Sequence, residues 1–334
     1  MAPASGSRPL AMVADIGGTN ARFALTDDRQ GPPALMHLAS LPCGQFASLQ
    51  HAAEHYLATV GARPARAAIA VASPVGGDEI RLTNRAWSFS RRELRQRLGL
   101  EALDTLNDFG AVAWSLPALA AADTETLHGA PDAPLRGPVT VIGPGTGLGI
   151  ALLTGSAERG WQVVETEGGH VSFAPQGDEE QMIARRLGAR FGRVSNERLL
   201  SGTGLSHIDA VLAAGVDRPS ALDEGMSLRD PATVVEAALG GHDLSARRAL
   251  ARFCAVLGSV AGDAALLHGA HAVMIAGGIV PRFIPFLRSS AFRERFLAKG
   301  RMAARLESVT IRVITHAAPG LLGAAVFLRS APAR

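Results

Sequence analysis

The chain has 334 residues, 47% apolar and 19% charged, with a mean hydropathy of +0.16, a composition that excludes disordered and fibrous classes and suggests two domains at roughly 100–200 residues each. Its 33 basic and 30 acidic side chains nearly cancel, so the pI of about 9.5 reflects arginine content, and nucleic acid is not an expected partner. Lys299 is the sole lysine, which removes both a Walker P-loop and a protein-kinase strand lysine; an ATP site here must work without them.

Cys43 and Cys254 lie far apart and outside any CxxC pattern, against a disulfide scaffold or a zinc site, and a reducing cytosol fits. Leu10–Ala14 is too short for a signal-peptide core. Ile314–Leu328, read as the most apolar later stretch, carries His316 and Pro319 and falls short of the roughly 18–20 residues of a membrane span. No membrane anchor is expected.

In chain order, the apolar runs Leu10–Asp15 and Ala21–Leu25 flank Gly17-Gly18-Thr19 and predict strand, tight turn, strand. Phe46–Val60 has helical spacing, Ala67–Ala72 reads as a short strand, and a further strand at Leu103–Leu106 ends at Asn107-Asp108 before a helix that runs to Pro117. The Pro- and Gly-rich segment Gly129–Pro138 is the expected interdomain region. Val139–Gly143, a glycine-rich turn and Leu148–Leu153 then repeat the opening device, which suggests an internal duplication. Helices follow at Glu179–Phe191, Pro231–Leu239 and Leu244–Leu267, a buried strand at Ala272–Ala276, and a closing helix at Leu321–Arg329.

Each candidate site has a functional and a plain structural reading. Adjacent glycines in Asp15-Ile16-Gly17-Gly18-Thr19-Asn20 let consecutive backbone N–H groups face a phosphate, and Asp15 could orient Mg²⁺ through water; an ordinary hairpin turn would look the same. Gly143–Gly149 supplies a second loop of that design, and Ala276-Gly277-Gly278 a third close approach, where an adenine ring could lie on backbone. Asp108 could accept a proton from an attacking hydroxyl or simply cap a helix. Glu167, His170 and Glu197 offer paired donors and acceptors for vicinal hydroxyls, although Glu197 also fits a first-turn acid. His51-Ala52-Ala53-Glu54-His55 matches a metalloprotease pattern, yet its histidines fall on the flank of an amphipathic helix with no third ligand suggested, and a solvated surface is expected.

These segments, in order and spacing, resemble the bacterial glucokinase family, related in fold to actin, hexokinase and the heat-shock ATPases. The resemblance also rests on Leu82-Thr83-Asn84 with Trp87, Leu106–Phe109, Glu167–Val171 with Phe173-Ala174-Pro175, Glu197-Arg198 with Ser201-Gly202, Ala276–Phe283, Lys299-Gly300-Arg301 and Pro319–Gly323. It implies an α/β, two-domain actin-like ATPase (ribonuclease H-like) fold with a cleft, with residues 1–118 plus 315–334 as a small domain and 119–314 as a large one. It implies Asp108 as catalytic base and Asn107, Asp108, Glu167, His170 and Glu197 as sugar-binding residues. Ala14, Asp15, Ile16, Gly17, Gly18, Thr19, Gly145, Thr146, Gly277 and Gly278 become nucleotide-contacting positions. ATP, Mg²⁺, glucose, a cytoplasmic location and a homodimer complete the expectation. The related ROK kinases carry a cysteine-rich zinc motif near the sugar site; no cysteine lies near His170 in the sequence, which favours the zinc-free branch. Choice among hexoses and alternative phosphoryl donors stays open, and Gly215–Gly225 matches no motif.

Overall fold

The computed structural model describes all residues except 1–9, 28–30, 74, 83–86, 216–218, 220, 221, 224, 226 and 331–334. Thr83 and Asn84 of the Leu82-Thr83-Asn84 motif, and part of Gly215–Gly225, lie outside the described residues. The chain forms two compact units: residues 1–123, 153–165 and 316–334 in the first, and 124–152 and 166–315 in the second.

The first unit opens with β1 (Leu10–Ile16), β2 (Asn20–Asp27) and β3 (Met36–Pro42), then α1 (Leu49–Val60), β4 (Arg66–Val71), the short strands β5 (Glu79–Arg81) and β6 (Ser88–Ser90), α2 (Arg91–Arg97), β7 (Ala102–Asn107) and α3 (Asp108–Ser115). Its sheet runs β3-β2-β1-β4-β7: an antiparallel meander, then parallel β4 and β7. Alternation along β1 sends Met12, Ala14 and Ile16 into one hydrophobic cluster and Val13 into another, so both sheet faces are covered. On the first face Tyr56 of α1 stacks on Phe23 at 5.2 Å between ring centroids. Ser48 caps α1 and shares a 2.8 Å hydrogen bond with the His51 ring, while the His55 ring lies 5.3 Å from that of Phe46. Local capping and packing thus account for both histidines of the metalloprotease-like pattern.

The second unit begins with β8 (Thr124–His128) and β9 (Val139–Pro144); β10 (Leu148–Ser156) and β11 (Gly160–Thr166) pass from it into the first unit and back. Then come α4 (Gly177–Phe191), α5 (Gly202–Ala214), α6 (Pro231–Gly240), α7 (Leu244–His268), β12 (Ala272–Ile275), the short helices α8 (Ile284–Ser289), α9 (Phe292–Leu297) and α10 (Ala303–Glu307), and β13 (Thr310–Ile314). The sheet order is β11-β10-β9-β12-β13-β8, with β9, β12 and β13 parallel. Its first five positions repeat the order of the other sheet, as a duplication requires. Gly129–Pro138, expected between domains, lies inside this unit: Arg312 Nη2 donates to the carbonyls of Ala130, Pro131 and Ala133, which pins the segment beside β13.

Among the described residues, the helix long and apolar enough to pass for a membrane span is α7, and most of it is buried. It forms the centre of the second unit's core, and Gly258 and Gly262 bring it against the backbone of α9 at Phe292 and Phe296, where a Cβ would collide. The chain closes with α11 (Pro319–Ser330), back in the first unit, with Pro at its first position where no N–H is needed. There Gly323 crosses α3 so closely that a Cβ would stand 2.6 Å from the Ala111 carbonyl carbon and 2.9 Å from the Ser115 nitrogen.

Candidate active site

In the first unit, Ile16 pairs with Val71 and Val71 with Asn107 across three parallel strands, so the Asp15–Asn20 loop and the Asn107-Asp108 turn share the carboxyl edge of one sheet. Ligands of open α/β sheets bind at that edge. The Ile16–Asn20 turn is closed by Gly17 N–H donating to Asn20 O at 3.0 Å and braced by Cys43, whose N–H donates to Thr19 O at 2.9 Å. Thr19 is exposed at the tip, whereas Ala14 and Ile16 are buried in the core, so their side chains serve the sheet and leave the backbone of the strand end to face a ligand. Asp15 stands against Gly320, where a Cβ would lie 3.0 Å from its carboxyl carbon. Burial pushes the Asp15 carboxyl above the usual range, and Arg22, 3.5 Å away, offsets part of that.

Asn107, not Asp108, caps α3: its Oδ1 accepts from Phe109 N–H at 3.0 Å and Gly110 N–H at 3.2 Å. Asp108 is the first helical residue, and its Oδ1 accepts from Phe109 N–H at 2.9 Å. One residue absent from the sequence expectations enters here. Glu165, near the end of β11, accepts the Asn107 N–H at 2.8 Å, and its carboxylate covers Gly110. Its sequence signal is a glycine in the first turn of a helix, which weakens the helix unless something must approach closely.

In the second unit, the β9–β10 loop repeats the first: Gly145 N–H donates to Gly147 O at 2.8 Å, and Thr146 is exposed at the tip. Three segments converge on it. Gly277, at φ +93°, packs on the Pro144 carbonyl so closely that no side chain fits, while Gly278 beside it has open space. Gly202 N–H, at the start of α5, donates to Gly145 O at 2.9 Å. Glu197 Oε2 accepts the Leu148 N–H at 2.9 Å and covers Gly147.

Glu167 and His170 flank a 3-10 turn set against β10, with Gly169 on the Leu148 carbonyl and Gly168 on Ile150. The two side chains are 3.9 Å apart and more than half exposed. Residues 171–173 then run beside 194–196, with Asn196 N–H donating to Val171 O at 2.9 Å and Phe173 N–H to Val194 O at 3.0 Å. That pairing brings the Glu167–His170 turn next to the turn holding Glu197, and places all three groups beside the second glycine loop. Glu197 is a first-turn acid, the second residue of the 3-10 turn Asn196–Arg198, and its carboxylate also reaches the Leu148 N–H of the loop.

A glucokinase family model matches residues 12–331. The chain belongs to the glucokinase family. The glucokinase of Tolumonas auensis is 42% identical over 319 residues, covering 95% of this chain and 96% of its own, and that of Chromobacterium violaceum is 45% identical over 322 residues, covering 95% and 88%. The crystal structure of a glucokinase from an Antarctic psychrotroph superposes with a TM-score of 0.81 at 34% identity, covering 97% of this chain and all of that one. The α/β actin-like sugar-kinase fold is thereby shown for this glucokinase family member, as the paired sheets suggested.

Proposed function

We propose that this chain phosphorylates the 6-hydroxyl of glucose with ATP and that Asp108 is the base. The observation that carries the role of Asp108 is its place at the carboxyl edge of the sheet directly after Asn107, which caps α3 through the Phe109 and Gly110 N–H groups, so the cap does not depend on the Asp108 carboxylate that also accepts from Phe109. In this reading Glu167, His170, Glu197 and Asn107 hold the sugar hydroxyls. The two glycine loops, with Gly277-Gly278, hold the nucleotide. As the 6-oxygen bonds to the γ-phosphorus, the bond from that phosphorus to the β,γ-bridging oxygen breaks, ADP leaves, and the hydroxyl proton passes to an Asp108 carboxylate oxygen. Alignment and charge neutralisation supply most of the rate in such transfers.

Asp15 suits a Mg²⁺ ion held through water: a hard cation takes oxygen donors and keeps several waters, and this desolvated carboxylate at the end of β1, where the first glycine loop begins, offers one such donor. When bound, the ion would neutralise charge on the phosphate oxygens. Cytoplasmic location and a homodimer follow from the family resemblance, as does the reading of the two units as small and large domains.

The test is ADP release on incubation of the protein with Mg-ATP and separate hexoses. Glucose-dependent ADP formation with glucose 6-phosphate as product supports the reading. Equal ADP release without sugar, or a different preferred hexose, overturns it.

A further inference from the structure

Glu165 has no part in the scheme above, yet it is the side chain that holds the turn bearing Asp108. Its Oε1 accepts the backbone N–H of Asn107 at 2.8 Å, and the same carboxylate lies over the first turn of α3, where a Cβ on Gly110 would stand 2.5 Å from Oε1, 2.7 Å from Cγ and 2.9 Å from Cδ. Two independent features therefore converge on it. The Asn107 N–H takes its acceptor from a residue 58 positions away rather than from a neighbouring strand, and a helix gives up its side chain at position 110 to let the acid in. Asn107 in turn caps α3 through the amide groups of Phe109 and Gly110. Fixing the Asn107 nitrogen thus fixes where the first helical residue, Asp108, begins. A carboxylate at a helix N-terminus is also well placed against the helix dipole.

We infer that Glu165 is a positioning residue for the phosphoryl transfer: by anchoring the Asn107 N–H over Gly110 it sets the orientation of the Asp108 carboxylate. The inference rests on Asp108 being the base. What the reaction needs from position 165 is an acceptor oxygen of the right reach, and a glutamine supplies one. The requirement is geometric, since misplacing a reacting group by about 1 Å can cost up to about a hundredfold in rate.

Steady-state kinetics of Glu165→Ala, Glu165→Gln, Gly110→Ala and the Glu165→Ala/Gly110→Ala double variant, with Asp108→Ala in parallel, test this. Glu165→Ala is expected to lower kcat about tenfold with KM for ATP within about twofold, and Glu165→Gln to restore most of kcat. Gly110→Ala displaces the acid without altering it and is expected to lower kcat similarly. In the Glu165→Ala background, where the added methyl has room, it is expected to cost nothing further. A wild-type kcat in Glu165→Ala, a Glu165→Gln variant no better than the alanine, or fully additive losses would overturn the positioning role. Near-normal kcat in Asp108→Ala would instead overturn the base assignment, so the two failures are distinguishable.

Discussion

The two sheets share one strand order and one loop design, but they spend them differently. In the first unit the loop at Ile16–Asn20 is braced by one residue, Cys43, whose N–H donates to Thr19 O and whose thiol donates to Gly17 O at 3.7 Å, and the edge two strands away carries Asp108. In the second unit the equivalent loop is gripped from three sides, by Gly277, Gly202 and Glu197. A repeated scaffold thus supplies two glycine turns, and what was added around each differs: an acid at the strand edge in one, a set of close backbone contacts in the other. On the proposed reading, the first unit carries the base and the second the closer backbone contacts.

Asp108→Ala presses hardest on that division. Its kcat should fall at least about a hundredfold, the usual scale for losing a general base, with the melting temperature and ATP binding little changed. Retained turnover in a coupled ADP assay would move the chemistry elsewhere. Next comes Gly323→Ala, which drives a methyl into the α3 backbone at Ala111 and Ser115. Overpacking of this kind costs about 1–3 kcal/mol, read as a lower denaturant midpoint, and an unchanged midpoint would show that α11 can slide off α3.

Glu197 tests the grip. Because its carboxylate holds the Leu148 N–H of the second loop, Glu197→Ala should raise KM for ATP as well as glucose, each about tenfold, the cost of roughly one charge-assisted hydrogen bond. Glu167→Ala, whose exposed side chain faces His170 at 3.9 Å instead of a loop amide, should raise KM for glucose alone. Equal effects of both variants on ATP would erase the distinction.

The smallest effect concerns acid. Burial holds the imidazoles of His207 and His268, both in the second unit, below the usual range. The unfolded chain therefore binds protons first as pH drops through about 6.5, and the stability these groups contribute, full above that value, is lost on further acidification. Melting temperatures between pH 7.5 and 5.5 should fall, and less steeply in His207→Gln; a slope unchanged in that variant would remove His207 from the account.

Much of this architecture was legible in the sequence. Glycine-rich turns between apolar runs marked both loops, and the strands at β1, β4, β7, β9 and β12 and the helices α1, α4, α6, α7 and α11 follow their apolar patterns within a few residues. α5 was not foreseen: Leu205, Ile208, Val211 and Leu212 are buried together with Ser206, His207 and Asp209, so no polar face gives the segment a helical period. β8, Thr-Glu-Thr-Leu-His, was missed because an edge strand needs little apolar patterning. At the site, Asp108, Glu167, His170 and Glu197 stood out by residue type and by the glycines beside them, but Glu165 did not, since nothing local distinguishes it from a surface acid.

By itself the sequence determined the elements that local chemistry dictates: glycine turns, capped helices, alternating strands and the reactive groups at their ends. Which acid meets which backbone amide was decided only when the sheets formed. Glu165 reaches Asn107 across 58 residues and Glu197 reaches Leu148 across 49, and such contacts depend on strand order and crossing geometry, which short-range patterns do not encode.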